Sequence, residues 1–287
     1  MSLPFRLLAL DIDGTLLNSQ FEISDADLNA LRQVHAAGAE IILCTGRRHS
    51  FALPIAGLLG FDVWMCSSNG AVTRSSSGEP FHRDLLPAEI ARAFCHHMRE
   101  FRGGTVLTFD QDHTGALVVE RTDELNVTLR RWVEKNEPYI QRFVPIESAL
   151  TRDPIQAMVC GTIEKMQVAE SVLKGFAGAG QITVLKTQYD HRDLCLLDVL
   201  NRDCSKGHAV ERWARHRGIL PQEIMAIGDN FNDIEMLEYA GIPVVMGNAS
   251  DDLKSRGWRQ TRSNDESGVA AAIDAVMHGR EITVPRE

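Results

Sequence analysis

Apolar runs of strand length and stretches of helical period alternate along the first part of the chain. Phe5 to Leu10 is a mostly apolar run that stops at Asp11. Ser24 is placed to cap a helix, with Asp27 three residues on. Leu28, Leu31 and Val34 form one apolar face and Gly38 closes the helix. Strand 39–44 follows at once, a second helix is expected within 50–59, and Val63 to Cys66 makes another apolar strand. This β-α-β-α-β rhythm predicts a parallel sheet with right-handed crossovers. Beyond Ala71 the pattern changes, and Ser75-Ser76-Ser77-Gly78 reads as a hairpin turn.

Between 86 and 199 the order is less regular. A helical stretch follows Pro87, strands are expected at 104–109 and 116–119, and a helix around 124–135. A strand at 156–160, a helix at 164–176 and strands at 181–186 and 194–200 complete the segment. That mixture predicts an α+β sheet with helices on one face. From Ser205 the first rhythm resumes, with helix 205–217 ending at Gly218, strand 224–227, helix 233–240, strand 243–246 and a last helix near 267–278. The expected fold is α/β, a Rossmann-like parallel-sheet core from 1–85 and 200–287 interrupted by an α+β domain over 86–199.

Composition narrows the class without naming a function. The 287 residues exceed a typical single domain, and 44% hydrophobic with 24% charged residues is ordinary for a soluble globular protein. No apolar stretch has the length of a membrane span and the N-terminus shows no signal-type segment, so a cytoplasmic protein without membrane partners is expected. A net charge of −9 argues against nucleic acid as an obligatory partner. The six cysteines are widely spaced, with no Cys-x-x-Cys pair, and read as reduced and mostly buried.

Candidate chemistry begins at Asp11-Ile12-Asp13-Gly14-Thr15, where two carboxylates and a glycine turn stand at the end of the first strand. In open α/β sheets ligands lie beyond the carboxyl ends of the strands, so a carboxylate there can serve as nucleophile or metal ligand. A calcium loop is excluded, because Leu16 occupies the position of the required turn glycine. Further along, Thr45-Gly46-Arg47 ends the strand 39–44, Ser205-Lys206-Gly207 opens a helix, and strand 224–227 runs into Gly228-Asp229-Asn230-Phe231-Asn232-Asp233. Asp229 and Asp233, four apart, share a face if a helix begins there.

The order Asp-x-Asp-Gly-Thr, strand-end Thr, Lys, Gly-Asp-x-x-x-Asp resembles the four motifs of the haloacid dehalogenase (HAD) phosphohydrolases. With Ser68-Asn69-Gly70-Ala71 and Met246-Gly247-Asn248-Ala249 the chain looks like the Cof-type branch, which carries a large α/β cap between the second and third motifs. The resemblance implies a Mg²⁺-dependent phosphatase that hydrolyses a small phosphorylated metabolite, a sugar phosphate or similar phosphomonoester, through an aspartyl-phosphate. Asp11 would be the nucleophile and Asp13 the acid and base. Asp11, the backbone carbonyl of Asp13 and Asp229 would hold the metal, with Asp233 and Asn230 around a metal-bound water. Thr45, Gly46 and Lys206 would bind the phosphate, and Arg47, Asn69 and Asn232 are further candidate substrate contacts. Segment 86–199 would be the cap that selects the substrate, and a monomer or small homo-oligomer is expected. Two alternatives stay open, a phosphomutase or phosphotransferase using the same intermediate, and a binding protein on the same scaffold. The six-residue stretch Arg256 to Thr261 departs from the resembled pattern, and Trp258 leaves the packing of that loop open.

Overall fold

A computed structural model describes residues 3–122, 125 and 127–280. The chain separates into two compact units, Met1–His82 with Ser205–Glu287, and Arg83–Cys204. The boundaries fall a few residues outside the 86–199 segment expected from the rhythm of the chain.

The first unit contains β1 (Leu7–Asp11), α1 (Asp25–Ala36), β2 (Glu40–Cys44), α2 (His49–Leu59), β3 (Trp64–Ser67), β4 (Val72–Ser75) and β5 (Pro80–Arg83). The second runs through α3 (Ala88–His97), β6 (Thr105–Thr108), β7 (Leu117–Val119), α4 (Val127–Asn136), β8 (Ile140–Arg142), β9 (Gln156–Gly161), α5 (Ile163–Leu173), β10 (Ile182–Tyr189) and β11 (Leu194–Asn201). The chain then returns to the first unit with α6 (Lys206–Arg217), β12 (Ile224–Gly228), α7 (Ile234–Tyr239), β13 (Ile242–Val245), α8 (Asp251–Lys254), β14 (Arg259–Gln260) and α9 (Gly268–Met277).

The sheet of the first unit has the order β14-β13-β12-β1-β2-β3-β4-β5. Every pairing from β14 to β3 is parallel, and β4 turns antiparallel beside β3. Strand β1 is buried along its whole length because both faces are covered. Leu8 and Leu10 pack with α1, α2 and α9, whereas Leu7 and Ala9 pack with α6 and α7. Capping fixes where the helices start. Ser24 accepts from the Asp27 N–H at the head of α1, and Ser205 accepts from the His208 N–H at the head of α6. Trp258, whose packing the sequence left open, lies part-buried beside Leu253 and Val245, and the short β14 that follows it adds an edge strand.

The sheet of the second unit has the order β10-β11-β9-β6-β7-β8, antiparallel except for β7 and β8. Helices α3 and α5 cover one face through Leu107, Val118, Ala157, Val159, Cys195 and Leu197. The expectation of helices on one face alone is corrected here. Leu129 and Val133 of α4 pack on Val106, Leu117, Val119, Met158 and Cys160, residues of opposite parity on the same strands. Those strands are apolar on both sides, so each face needs its own cover. Residues 124 and 126, in the expected helix around 124–135, lie outside the described residues.

Candidate active site

The candidate residues come together in the first unit because parallel strands deliver their carboxyl ends to one edge of the sheet. Asp11 is the last residue of β1, Thr45 directly follows β2, the Ser68-Asn69-Gly70 turn follows β3, and Asp229 directly follows β12. Strand order β12-β1-β2-β3 makes these four loops consecutive neighbours.

At the centre Lys206, the first residue of α6, is only 1% exposed. Its Nζ donates to Asp11 Oδ1 at 2.6 Å and to Asp233 Oδ1 at 2.7 Å. Asp233 Oδ2 accepts from the backbone N–H groups of Asp229 and Asn230, both at 3.1 Å. That carboxylate therefore ties the lysine to the loop after β12. The expectation that Asp229 and Asp233 share a helical face is corrected. A 3-10 turn over Phe231–Asp233 precedes α7, and the two residues are brought together by the hydrogen bond from the Asp229 N–H. Asp229 itself accepts from the Thr15 hydroxyl at 3.3 Å, and Asn248 Nδ2 donates to the Gly14 carbonyl at 2.8 Å. Gly14 has φ +86°, and a Cβ there would stand 2.2 Å from Asp229 Oδ2, so the turn after β1 can lie against that carboxylate only with glycine.

A second group lies on the β2 side. The Arg47 guanidinium forms a fork on Asp13, Nε to Oδ2 at 2.7 Å and Nη2 to Oδ1 at 2.6 Å. The backbone N–H of Arg47 donates to Thr45 Oγ1 at 3.0 Å. Asn69 and Asn232 are buried and joined to each other, Nδ2 of Asn232 donating to Oδ1 of Asn69 at 2.9 Å. Asn69 also donates its N–H to the Thr45 carbonyl, and Gly46 runs close beside its side chain. Ser68, Asn69 and Gly70 all have positive φ, a tight turn that brings Gly70 against the Ser205 backbone with no room for a Cβ. The Asn230 side chain accepts from the Phe231 N–H. Thr15 and Asn248, which brace the Asp229 loop, carry no distinguishing sequence signal beyond their place in the Asp-Gly-Thr and Met-Gly-Asn stretches.

The charge balance at the centre is incomplete. Ligand oxygens of Asp11, Asp229 and Asp233 lie within 4.8 Å of one another, three buried carboxylates around one ammonium. Burial and then the charge of Asp233 push the Asp11 carboxyl up to about 7, against the pull of Lys206. Burial and the charges of Asp11 and Asp233 raise Asp229 well above the usual carboxylate range. For Lys206 burial acts to lower the pKa, but Asp11 and Asp233 override it and hold the ammonium well above its ordinary value. Among the described residues Asp11 Oδ2 is buried and has no hydrogen-bond partner. An orphaned carboxylate oxygen within a negative cluster fits a hard cation that takes oxygen ligands. Among the described residues no helix is long and apolar enough to cross a membrane.

Comparison with known proteins agrees with this chemistry. The profile of haloacid dehalogenase-like hydrolases matches residues 8–273. Phosphatase YwpJ of Bacillus subtilis is 31% identical over 92% of this chain and 97% of its own length. The 5-amino-6-(5-phospho-D-ribitylamino)uracil phosphatase YwtE of the same organism is 28% identical over 96% of this chain and 99% of its own length. Among solved structures, a haloacid dehalogenase-like hydrolase from B. subtilis superimposes with a TM-score of 0.78 at 26% identity, over 94% of this chain and 99% of that one. The chain belongs to the haloacid dehalogenase-like hydrolases.

Proposed function

We propose that the protein is a Mg²⁺-dependent phosphatase that hydrolyses a small phosphorylated metabolite through an aspartyl-phosphate on Asp11. The observation that carries this reading is the free Oδ2 of Asp11, a buried carboxylate oxygen with Lys206 holding its partner oxygen in place. A nucleophile must keep one lone pair uncommitted. Mg²⁺ held by Asp11, the backbone carbonyl of Asp13 and Asp229 would neutralise the carboxylates and polarise the phosphate.

The Asp11 carboxylate attacks phosphorus and the ester P–O bond breaks, and Asp13, protonated once its carboxyl leaves the Arg47 fork, gives that proton to the departing alkoxide. Asp13 then takes a proton from water, which attacks the aspartyl-phosphate, releases inorganic phosphate and restores Asp11. Thr45, Gly46 and Lys206 bind the phosphate oxygens. Asp233 and Asn230 hold the loop that carries Asp229, and the Arg47 fork orients the Asp13 carboxylate. Asn69 and Asn232 brace the phosphate loops, from which either can reach substrate. The second unit, Arg83–Cys204, acts as a cap that selects the organic part of the substrate. A sugar or polyol phosphate is supported by the relative named for a phosphoribityl substrate.

Purified protein should hydrolyse 4-nitrophenyl phosphate with Mg²⁺ and lose that activity in excess chelator, recovering it when Mg²⁺ is restored. Turnover undiminished in chelator would overturn the metal assignment.

A further inference from the structure

We propose that Asn248 and Asn264 form a strut that positions the metal ligands of the first unit, so that metal affinity depends on two side chains that hold no metal themselves. The inference rests on the metal assignment made above and adds to it two positioning residues from the last part of the chain.

The strut meets the site at Asn248, three residues beyond β13. Its Nδ2 donates to the Gly14 carbonyl at 2.8 Å and lies 3.5 Å from Asp229 Oδ2. The other oxygen of that carboxylate accepts from the Thr15 hydroxyl. Asp229 is therefore held at both oxygens, by Thr15 from within the turn after β1 and by Asn248 from outside it. Gly14 directly follows Asp13, so one amide group steers both the carboxylate and the stretch of backbone assigned to the metal.

Asn264 fixes which way that amide faces. The backbone N–H of Asn264 donates to Asn248 Oδ1 at 3.0 Å, which leaves the Asn248 nitrogen, the only donor of the amide, turned toward Gly14 and Asp229. Asn264 Nδ2 in turn donates to the Leu17 carbonyl at 2.8 Å. The Leu17 N–H returns to the Ile12 carbonyl at 2.9 Å and closes the turn that contains Asp13 and Gly14. The two asparagines thus grip this turn at two points, Gly14 and Leu17.

The strut has a firm base. The Gly247 N–H donates to the Arg262 carbonyl at 3.0 Å, and a Cβ on Gly247 would stand 2.8 Å from the Ser263 nitrogen. The Thr261 hydroxyl, fully buried, donates to the Gly268 carbonyl at 2.7 Å, and the Ser263 hydroxyl donates to Glu266 Oε2 at 2.7 Å. Asn248 itself is exposed. Water could satisfy an exposed amide, so folding does not require these bonds. What they add is a fixed direction for the groups that ligate, the usual work of residues surrounding a metal site.

The test titrates chelator-stripped wild-type, Asn248→Ala, Asn264→Ala and doubly substituted proteins with Mn²⁺, which prefers the same oxygen ligands as Mg²⁺, and counts the free ion by electron paramagnetic resonance. Asn248→Ala should weaken Mn²⁺ binding by about 10-fold. Asn264→Ala keeps its backbone N–H and should weaken binding by roughly 3-fold. The double variant should lose less than the product of the two, because breaking either link already frees the turn. Raising Mg²⁺ should recover part of the lost rate on 4-nitrophenyl phosphate. Arg102→Met, destabilised in the other unit, should bind Mn²⁺ like the wild type. Wild-type affinity in both single variants, losses that multiply in the double variant, or an equal loss in Arg102→Met would overturn the strut alone. Failure of both single variants to fold would assign the asparagines to packing and also overturn it. A folded wild type that binds no Mn²⁺ would overturn the metal assignment, and this inference with it.

Discussion

Among the described residues, each unit has a buried or half-buried cation that bridges two carboxylates, and the two clusters behave differently. In the second unit Arg102 reaches Glu120 at 2.7 Å and also Glu147, and Glu120 accepts from the Ile146 N–H at 2.9 Å. These side chains keep 13–19% of their surface exposed, and the guanidinium fork clamps two separated loops. In the first unit Lys206 reaches Asp11 and Asp233 with almost no exposure, and a third carboxylate, Asp229, is buried beside them. Glu147 also keeps an unpartnered oxygen, but no group of three metal-capable acidic side chains forms around Arg102 among the described residues. A planar fork on part-exposed glutamates fastens structure. A point charge among three buried aspartates leaves a negative site that a cation and a phosphate can complete.

The sharpest test of that contrast is Asp11→Asn, which keeps the shape of the side chain and removes its nucleophilic oxygen. Turnover should fall by roughly 10⁴-fold or more with the melting temperature preserved. A folded variant near the wild-type rate would move the nucleophile elsewhere. Lys206→Met removes the central charge and leaves Asp11 and Asp233 buried without it. In chelator it should cost about 3–5 kcal/mol of stability, part of which Mg²⁺ restores, as chemical denaturation would read. Arg102→Met should cost less, about 1–3 kcal/mol, since its glutamates keep some contact with water. Its kcat on 4-nitrophenyl phosphate should stay near wild type. Equal catalytic loss in the two methionine variants would erase the distinction between the clusters.

The smallest effect concerns a buried carboxylate outside either cluster. Asp27 accepts from the Ala270 N–H and the Ser24 hydroxyl, yet burial raises its pKa above the ordinary 3.8. A carboxyl whose folded pKa is raised contributes stability fully below the ordinary value and loses it as pH rises through the raised one. Asp27→Asn escapes that loss while keeping an acceptor for Ala270. Its stability relative to wild type should improve as pH rises from below 4 toward neutrality, and a flat difference across that range would show that Asp27 pays no ionisation penalty.

Much of the fold was legible because apolar period reports which faces must be covered. Leu28, Leu31 and Val34 with Ser24 and Gly38 mark α1, and the unbroken apolar runs mark strands buried on both sides. Runs of the same kind in the second unit were read less well. Both parities of β6, β7 and β9 are apolar, which demands a second cover, but the pattern does not say that α4 supplies it. The acidic and basic candidates could be placed at strand ends and helix starts from local signals alone, Asp11 after an apolar run and Lys206 after a capping serine.

Partner choice was decided only by the tertiary structure. Nothing local joins Asp11 to Lys206 across 195 positions, Asp13 to Arg47, Asn232 to Asn69, or Gln156 to Asp198. Periodicity and caps are properties of neighbouring residues, set by backbone geometry within one element. Hydrogen bonds and ion pairs between elements depend on ångström-scale distances that strand order, register and close glycine contacts create, so residue types determine the available chemistry while packing selects which atom meets which.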